Sequence, residues 1–206
     1  MSPDEFSRQT NQIERLRARI SELVVTRSRS ASDRKAWELA CTAFHQAFCE
    51  LSFPGGENAW ASLAAGGAAG IEAAVVFLES NPYFFRSGYM QQDAWHRLKR
   101  APLTARQERR LELVAIAYLS RPIRREFWSM VRYVRLRGTS ALWDDLRLMV
   151  NSDDRSLKTR AGSLLLARQD SPVKSWVDTE LSLSRYRKGY VPDFCFNDRI
   201  RDAPTS

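Results

Sequence analysis

Residues 122–136 read Pro-Ile-Arg-Arg-Glu-Phe-Trp-Ser-Met-Val-Arg-Tyr-Val-Arg-Leu, and this stretch decides the fold class. An α-helix turns by about 100° per residue, so side chains three and four positions apart share a face. The apolar positions are Ile123, Phe127, Met130, Val131 and Val134. The neighbouring positions are Arg121, Arg124, Arg125, Trp128, Arg132 and Arg135. The pattern predicts an amphipathic helix with one face in the core and one cationic, aromatic face.

The same periodicity continues along the chain, and no stretch alternates apolar and polar residues long enough to indicate a sheet. Short turns with proline, glycine or aspartate separate the periodic segments. Helices are predicted at 33–51, near Trp60, and at 71–79, 90–100, 104–120, 122–136, 139–151, 154–168 and 172–187. The sequence therefore predicts an all-α protein, with a helical domain over 33–188 and an irregular aromatic tail over 189–206.

An amphipathic helix is predicted over residues 1–25. Ser2 can cap it, Pro3 suits its first position, and acidic residues follow in the first turn. Its apolar residues follow the spacing of a short heptad seam: Phe6, Ile13, Leu16, Ile20 and Leu23. This seam either packs on the rest of the chain or forms a homodimer through residues 6–23.

Residues 152–161 read SDDRSLKTRA, in which acidic turn residues precede a helix that opens with an aliphatic, a basic and then a small residue. Leu164 and Leu165 continue the apolar face. This segment resembles the repeat boundary of HEAT proteins, and the resemblance extends over residues 122–170 only. It implies a short, irregular HEAT-like α-solenoid and carries information about fold rather than function.

The composition is that of a folded domain, with 44% hydrophobic and 27% charged residues among 206. No apolar run approaches the roughly 20 residues that span a bilayer, so we expect no membrane contact and a cytoplasmic location. Three cysteines leave one unpaired in any disulfide framework, which favours reduced thiols.

Positive charge is concentrated in one stretch. Between Arg97 and Arg137 there are twelve basic and three acidic residues, whereas the whole chain has a net charge of +8. Clustered like charges repel unless a partner offsets them. We expect a polyanion-binding surface with these residues: Arg97, Lys99, Arg100, Arg106, Arg110, Arg121, Arg124, Arg125, Trp128, Arg132 and Arg135.

Three functions would explain this surface. Guanidinium groups pair with phosphates and an indole stacks on bases, which favours a non-enzymatic module that binds nucleic acid. A scaffold that binds an acidic protein, or a solvated helix face, would show the same pattern. Some HEAT-like DNA glycosylases also have a cationic face, and Trp143 with Asp144 or Asp145 is the candidate pair for that activity.

Other chemistry finds little support in the sequence. Cys41, His45 and Cys49 share a helix face, but its sulfurs would lie about 12 Å apart, too far for one zinc ion, so a packed core position is expected. Gly66, Gly67 and Gly70 lack the lysine of a phosphate-binding loop and are interpreted as a helix connection. We expect no metal, no cofactor and no catalytic residue. The aromatic tail (Tyr186, Tyr190, Phe194 and Phe196) should cap the last helices or act as a docking peptide.

Overall fold

The computed structural model describes residues 1–168, which form nine α-helices and no strand. The all-α prediction is confirmed. The predicted helix 172–187, the tail 189–206 and Cys195 lie outside the described residues. The helices are α1 (Pro3–Val24), α2 (Ala31–Leu51), α3 (Gly56–Ala64), α4 (Ala68–Ser80), α5 (Ser87–Leu98), α6 (Ala105–Tyr118), α7 (Phe127–Arg137), α8 (Ser140–Met149) and α9 (Arg155–Arg168).

Local capping fixes several helix starts. Ser2 and Glu5 form a reciprocal capping box at α1, with Pro3 in the first turn. Thr104 and Gln107 form a second one at α6. Helix α2 begins two residues earlier than predicted, because Ser30 accepts a hydrogen bond from the Asp33 N–H at 3.0 Å.

Helix α1 is part of the core. It packs against α2 and α4, and the Phe6 ring meets Phe77 edge-on with 5.7 Å between ring centroids. Phe6 and Ile13 are fully buried within the chain, while Leu16, Ile20 and Leu23 are half-buried. The first part of the seam therefore packs inside the molecule, and a homodimer through residues 6–23 stays a prediction.

The helices after α4 surround a second apolar region. Helix α7 packs against α5, α6 and α9, and α8 packs against α9. Trp95 of α5 and Tyr133 of α7 lie at the centre, both about 1% exposed, with 5.0 Å between ring centroids. These helices carry most of the predicted basic residues, so this region positions the candidate surface.

Helix α7 begins at Phe127, five residues later than predicted. The residue before it, Glu126, is only 1% exposed. Its Oε1 accepts a hydrogen bond from the Tyr118 hydroxyl at 2.9 Å, which joins the end of α6 to the start of α7. Residues 119–126 consequently form a turn, and Arg121, Arg124 and Arg125 lie in that turn rather than on the helix.

Within residues 1–168, no single helix has the length and apolarity of a bilayer span. Helices α3 and α4 meet that criterion only when taken together, across a bend of 110°.

The bend between α3 and α4 depends on a close backbone approach at Gly70. A Cβ atom there would lie 2.0 Å from the Leu63 backbone nitrogen, whereas a Cβ at Gly162 in α9 would meet nothing within 4 Å. The interpretation of the glycine-rich segment as a helix connection holds for Gly66 and Gly67, whereas Gly70 lies inside α4.

We expect Gly70→Ala to lower the free energy of unfolding by about 2–3 kcal/mol, because the two backbones must separate. Gly162→Ala is the matched control and should raise it by about 0.5–1 kcal/mol through helix propensity. Urea denaturation measures both, and equal effects of the two substitutions would contradict the close approach.

Candidate nucleic-acid interface

Several arginines of the predicted surface are neutralised by carboxylates. Arg97 donates to Asp93, with Nε and Oδ2 2.7 Å apart. Arg110 forms a fork with Glu79, in which both hydrogen bonds are 2.6 Å long, and it also pairs with Glu72. The Arg97 pair lies within α5, whereas Arg110 ties α6 to α4.

The Arg110 cluster changes the titration of its acids. Partial burial would raise the pKa of the Glu72 carboxyl, but hydrogen bonds from Arg110 and Gln107 outweigh burial and lower that pKa below its ordinary value. Arg106 also lowers it through its charge. The hydrogen bonds that Arg110 donates to Glu79, opposed by burial, raise the pKa of Arg110.

Two further arginines of the basic stretch have structural partners. Arg137 donates to Glu108 at 2.8 Å and to the Ala101 carbonyl at 2.7 Å, which ties the end of α7 to the start of α6. Arg109 pairs with the buried Glu112 at 3.2 Å. Part of the local charge excess is therefore used to join helices.

The remaining basic residues of the set differ in environment. Five have no ion pair in the described part of the chain: Lys99, Arg100, Arg106, Arg121 and Arg132. Arg100, Arg106 and Arg132 are exposed, and Arg135 is exposed on α7. Arg121 lines a groove of about 210 Å³ beside Arg110.

Arg124 and Arg125 lie over aromatic rings instead of carboxylates. The Arg124 guanidinium carbon is 4.6 Å from the centroid of the Tyr83 ring, and that of Arg125 is 3.9 Å from the centroid of Tyr89. A ring face attracts a cation through its quadrupole without cancelling its charge. Both guanidinium groups therefore remain cationic at the surface.

A third ring extends this arrangement. Phe85 lies between Arg17 of α1 and Arg86, whose guanidinium carbons are 5.0 and 4.9 Å from its centroid. We call the seven residues the stacked cluster: Arg17, Tyr83, Phe85, Arg86, Tyr89, Arg124 and Arg125. Its segment 83–89 lies outside the basic stretch, although an aromatic-rich turn followed by arginine was a readable signal.

The segment that carries these rings is held firmly. The Gln91 side chain donates to the Pro82 carbonyl at 3.0 Å, and the Phe85 N–H donates to Glu14 of α1 at 2.8 Å. Asn81, which ends α4, has a φ angle of 43°, a left-handed conformation that asparagine tolerates, whereas Arg86, the residue before α5, has a φ angle of 70°, which is unfavourable for its side chain. Surrounding contacts thus maintain a strained backbone.

The predicted aromatic residue Trp128 is half-buried against Phe127, with 5.1 Å between ring centroids. Its indole is less accessible than the Tyr83 ring, which is 78% exposed. The exposed aromatic group beside the arginines is therefore Tyr83, a residue that the sequence analysis did not select.

The residues considered for glycosylase chemistry are used in packing. Trp143 is 3% exposed, and its Nε1 donates to the Gly138 carbonyl at 2.9 Å. Asp144 pairs with Arg147, and Asp145 is half-buried. The indole is not available to stack on an extruded base.

The cysteine face forms no metal site within the described residues. Cys41 and Cys49 are half-buried and His45 is exposed, so the expected packed core position is wrong for His45. Burial and a hydrogen bond with Glu57 raise the pKa of the Cys49 thiol to about 11. Cys49 is therefore protonated at neutral pH and is a poor nucleophile or metal ligand.

We expect Arg110→Met to lower the free energy of unfolding at pH 7 by about 1–2 kcal/mol, because Glu72 and Glu79 lose their partner. The pKa of Glu72 is lower in the folded protein than in the unfolded chain, where it is about 4.3, so ionised Glu72 stabilises the fold at pH values above about 4.3. This stabilisation is lost as the pH falls through the folded pKa. The difference between variant and wild type should therefore shrink below pH 4.

Arg106→Met is the matched control, since Arg106 is exposed and has no ion pair among the described residues. It should change stability by less than about 0.5 kcal/mol. Guanidinium chloride denaturation at several pH values measures both variants, and a pH-independent Arg110 effect would contradict the assigned ion pairs.

Comparison with known proteins gives no relative: no family model matches the chain, and neither a curated protein nor a solved structure matches it significantly.

Proposed function

We propose that this chain is a non-enzymatic module that binds nucleic acid through its phosphates. One observation carries the proposal: Arg124 and Arg125 are held over tyrosine rings, with no carboxylate within ion-pair distance among the described residues. An arginine whose charge is already cancelled gains little from a phosphate, whereas a stacked guanidinium keeps its in-plane N–H donors.

The division of the arginines refines the predicted surface. Arg110 joins α6 to α4 and Arg97 is paired within α5, so the binding role falls to Arg124 and Arg125 together with exposed arginines such as Arg132. Within the stacked cluster, Arg17 pairs with the Glu14 carboxylate at 3.6 Å. Glu126, adjacent in sequence to Arg125, is buried and bonded to Tyr118.

Rigid positioning of the arginines also supports the proposal. Side chains that are already ordered lose less conformational entropy when they bind. Arg124 and Arg125 are each ordered by a ring, and the segment with those rings is fixed by hydrogen bonds to α1 and α5. This favours a built binding surface over a solvated helix face.

We also retain a HEAT-like relationship as a proposal. From α3 onward, most helices pack against the helix two positions further along, in the pairs α3 with α5, α4 with α6, α5 with α7, and α7 with α9, whereas α6 does not pack in this way against α8. Such packing is typical of α-solenoids. Helices α1 and α2 depart from it, because α1 packs against α4.

The salt dependence of binding tests the proposed function. If about six phosphates are contacted, log K should fall against log salt with a slope near −5. A triple variant with Arg124, Arg125 and Arg132 changed to Glu should lose binding entirely. Both effects are measured by fluorescence anisotropy of labelled 20-nucleotide oligonucleotides between 50 and 300 mM salt. The protein is titrated up to about 1 µM.

The matched control carries the same charge change at exposed arginines of α1, α2 and α9: Arg8, Arg34 and Arg155 changed to Glu. It should retain most of the affinity. Equal losses in both triple variants would indicate unspecific attraction by net charge, and absence of binding at low salt would overturn the proposed function. Recovery of an acidic protein by the wild type, together with no oligonucleotide binding, would favour the scaffold.

A further inference from the structure

We propose that the ligand is single-stranded nucleic acid and that Tyr83 stacks on one of its bases. This inference rests on the proposed function and assigns the strand type and a base-contacting residue. Tyr83 is 78% exposed, which is unusual for a large aromatic side chain at a fixed position.

The two sides of the Tyr83 ring have different roles. The Arg124 guanidinium lies over the ring at 4.6 Å from its centroid, and most of the remaining ring surface is open to solvent. A base that stacks on the open side would extend the stack of guanidinium and ring. Arg124 would then keep N–H donors at the edge of the stack for a neighbouring phosphate.

Stacking on Tyr83 selects for unpaired bases. Within a duplex both faces of each base are covered by neighbouring base pairs, so an external ring cannot reach them without unstacking. In a single strand those faces are accessible, and aromatic side chains bind them with little sequence preference. The described surface therefore fits an unpaired strand better than a duplex.

The backbone near Tyr83 explains how the ring is presented. Pro82 is buried and its carbonyl accepts from Gln91, while the N–H groups of Phe84 and Phe85 donate to Ser87 and Glu14. Phe84 is itself in the core, beside Phe48. Tyr83 is thus the outward-facing residue of a segment whose neighbours are anchored on both sides.

The second tyrosine has a different task. Tyr89 is half-buried, and Arg125 lies only 3.9 Å from its ring centroid. This ring is a support that orients Arg125 toward the backbone of the strand. In this arrangement Tyr83, with Arg124 over its ring, contacts a base, and Arg125 contacts a phosphate. The adjacent residues Arg124 and Arg125 thus take part in both kinds of contact.

The test compares labelled 15-residue oligo(dT) and oligo(rU) with a 15-base-pair duplex, at equal salt, by fluorescence anisotropy. We expect the wild type to bind the single strands at least about tenfold more tightly than the duplex. Tyr83→Ala should weaken single-strand binding by about tenfold and duplex binding by clearly less, because on a duplex it removes only the support of Arg124, whereas Tyr83→Phe keeps the ring and should bind close to wild type.

An oligonucleotide with abasic sites isolates the stacking contribution, since it keeps the phosphates and lacks the bases. Tyr83→Ala should weaken binding to this strand clearly less than binding to the intact strand, because only the support of Arg124 is lost. Leu148→Ala removes another exposed side chain, on α8, and should change nothing. Thermal unfolding verifies that Tyr83→Ala remains folded, as expected for an exposed position.

The outcomes separate this inference from the proposed function. Salt-dependent binding that is equal for duplex and single strand, with no effect of Tyr83→Ala, overturns the inference and leaves the proposed function standing. Absence of binding to all oligonucleotides overturns both. A Tyr83→Ala loss that is the same for the abasic strand would assign the ring to arginine positioning alone and would also overturn base stacking.

Discussion

The candidate surface depends on the contacts of one buried side chain, that of Glu126. Its Oε1 accepts a hydrogen bond from the Tyr118 hydroxyl at the end of α6, and Glu126 is the residue before α7. Its Oε2 lies 3.2 Å from the position that a Cβ atom of Gly88 would occupy, in the first turn of α5. Oε2 itself is buried and has no hydrogen-bond partner among the described residues. Three helices therefore meet at one acidic group, and the two residues before it are Arg124 and Arg125. Burial is the main cause that raises the pKa of the Tyr118 hydroxyl, and the charge of Glu126 is the second cause. The hydroxyl therefore keeps its proton and remains a hydrogen-bond donor.

The molecule uses arginine in two ways that the sequence does not distinguish. Arg110 and Arg137 reach carboxylates or carbonyls on other elements and act as cross-links, whereas Arg97 pairs with Asp93 within α5. Arg124 and Arg125 meet ring faces and stay cationic. Desolvated ion pairs are costly to break, whereas stacked cations can change partners at little cost. The first group gives the frame its stability, and the second group is available to an incoming anion.

Periodicity predicted the helical class and most helix positions, because apolar spacing and caps such as Thr104 with Gln107 are local properties of the sequence. The turn at 119–126 was not predictable, since Ile123 and Phe127 continue a helical pattern and only tertiary contacts bury Glu126. The ion pairs of Arg110 involve acids about 30 residues away. The stacked cluster combines α1 with segment 83–89 and residues 124–125, and a charge count over 97–137 omits Tyr83 and Phe85.

The position of Phe6 has a consequence for any shortened form of the chain. Its ring is enclosed beside Phe77, which in turn contacts Phe53 at 5.3 Å between centroids. Removing the first turn of α1 would leave a phenyl-sized void between the helices, and Glu14 further along α1 would lose its fixed distance to Phe85. Trimming one terminus would thereby loosen a surface segment some eighty positions downstream.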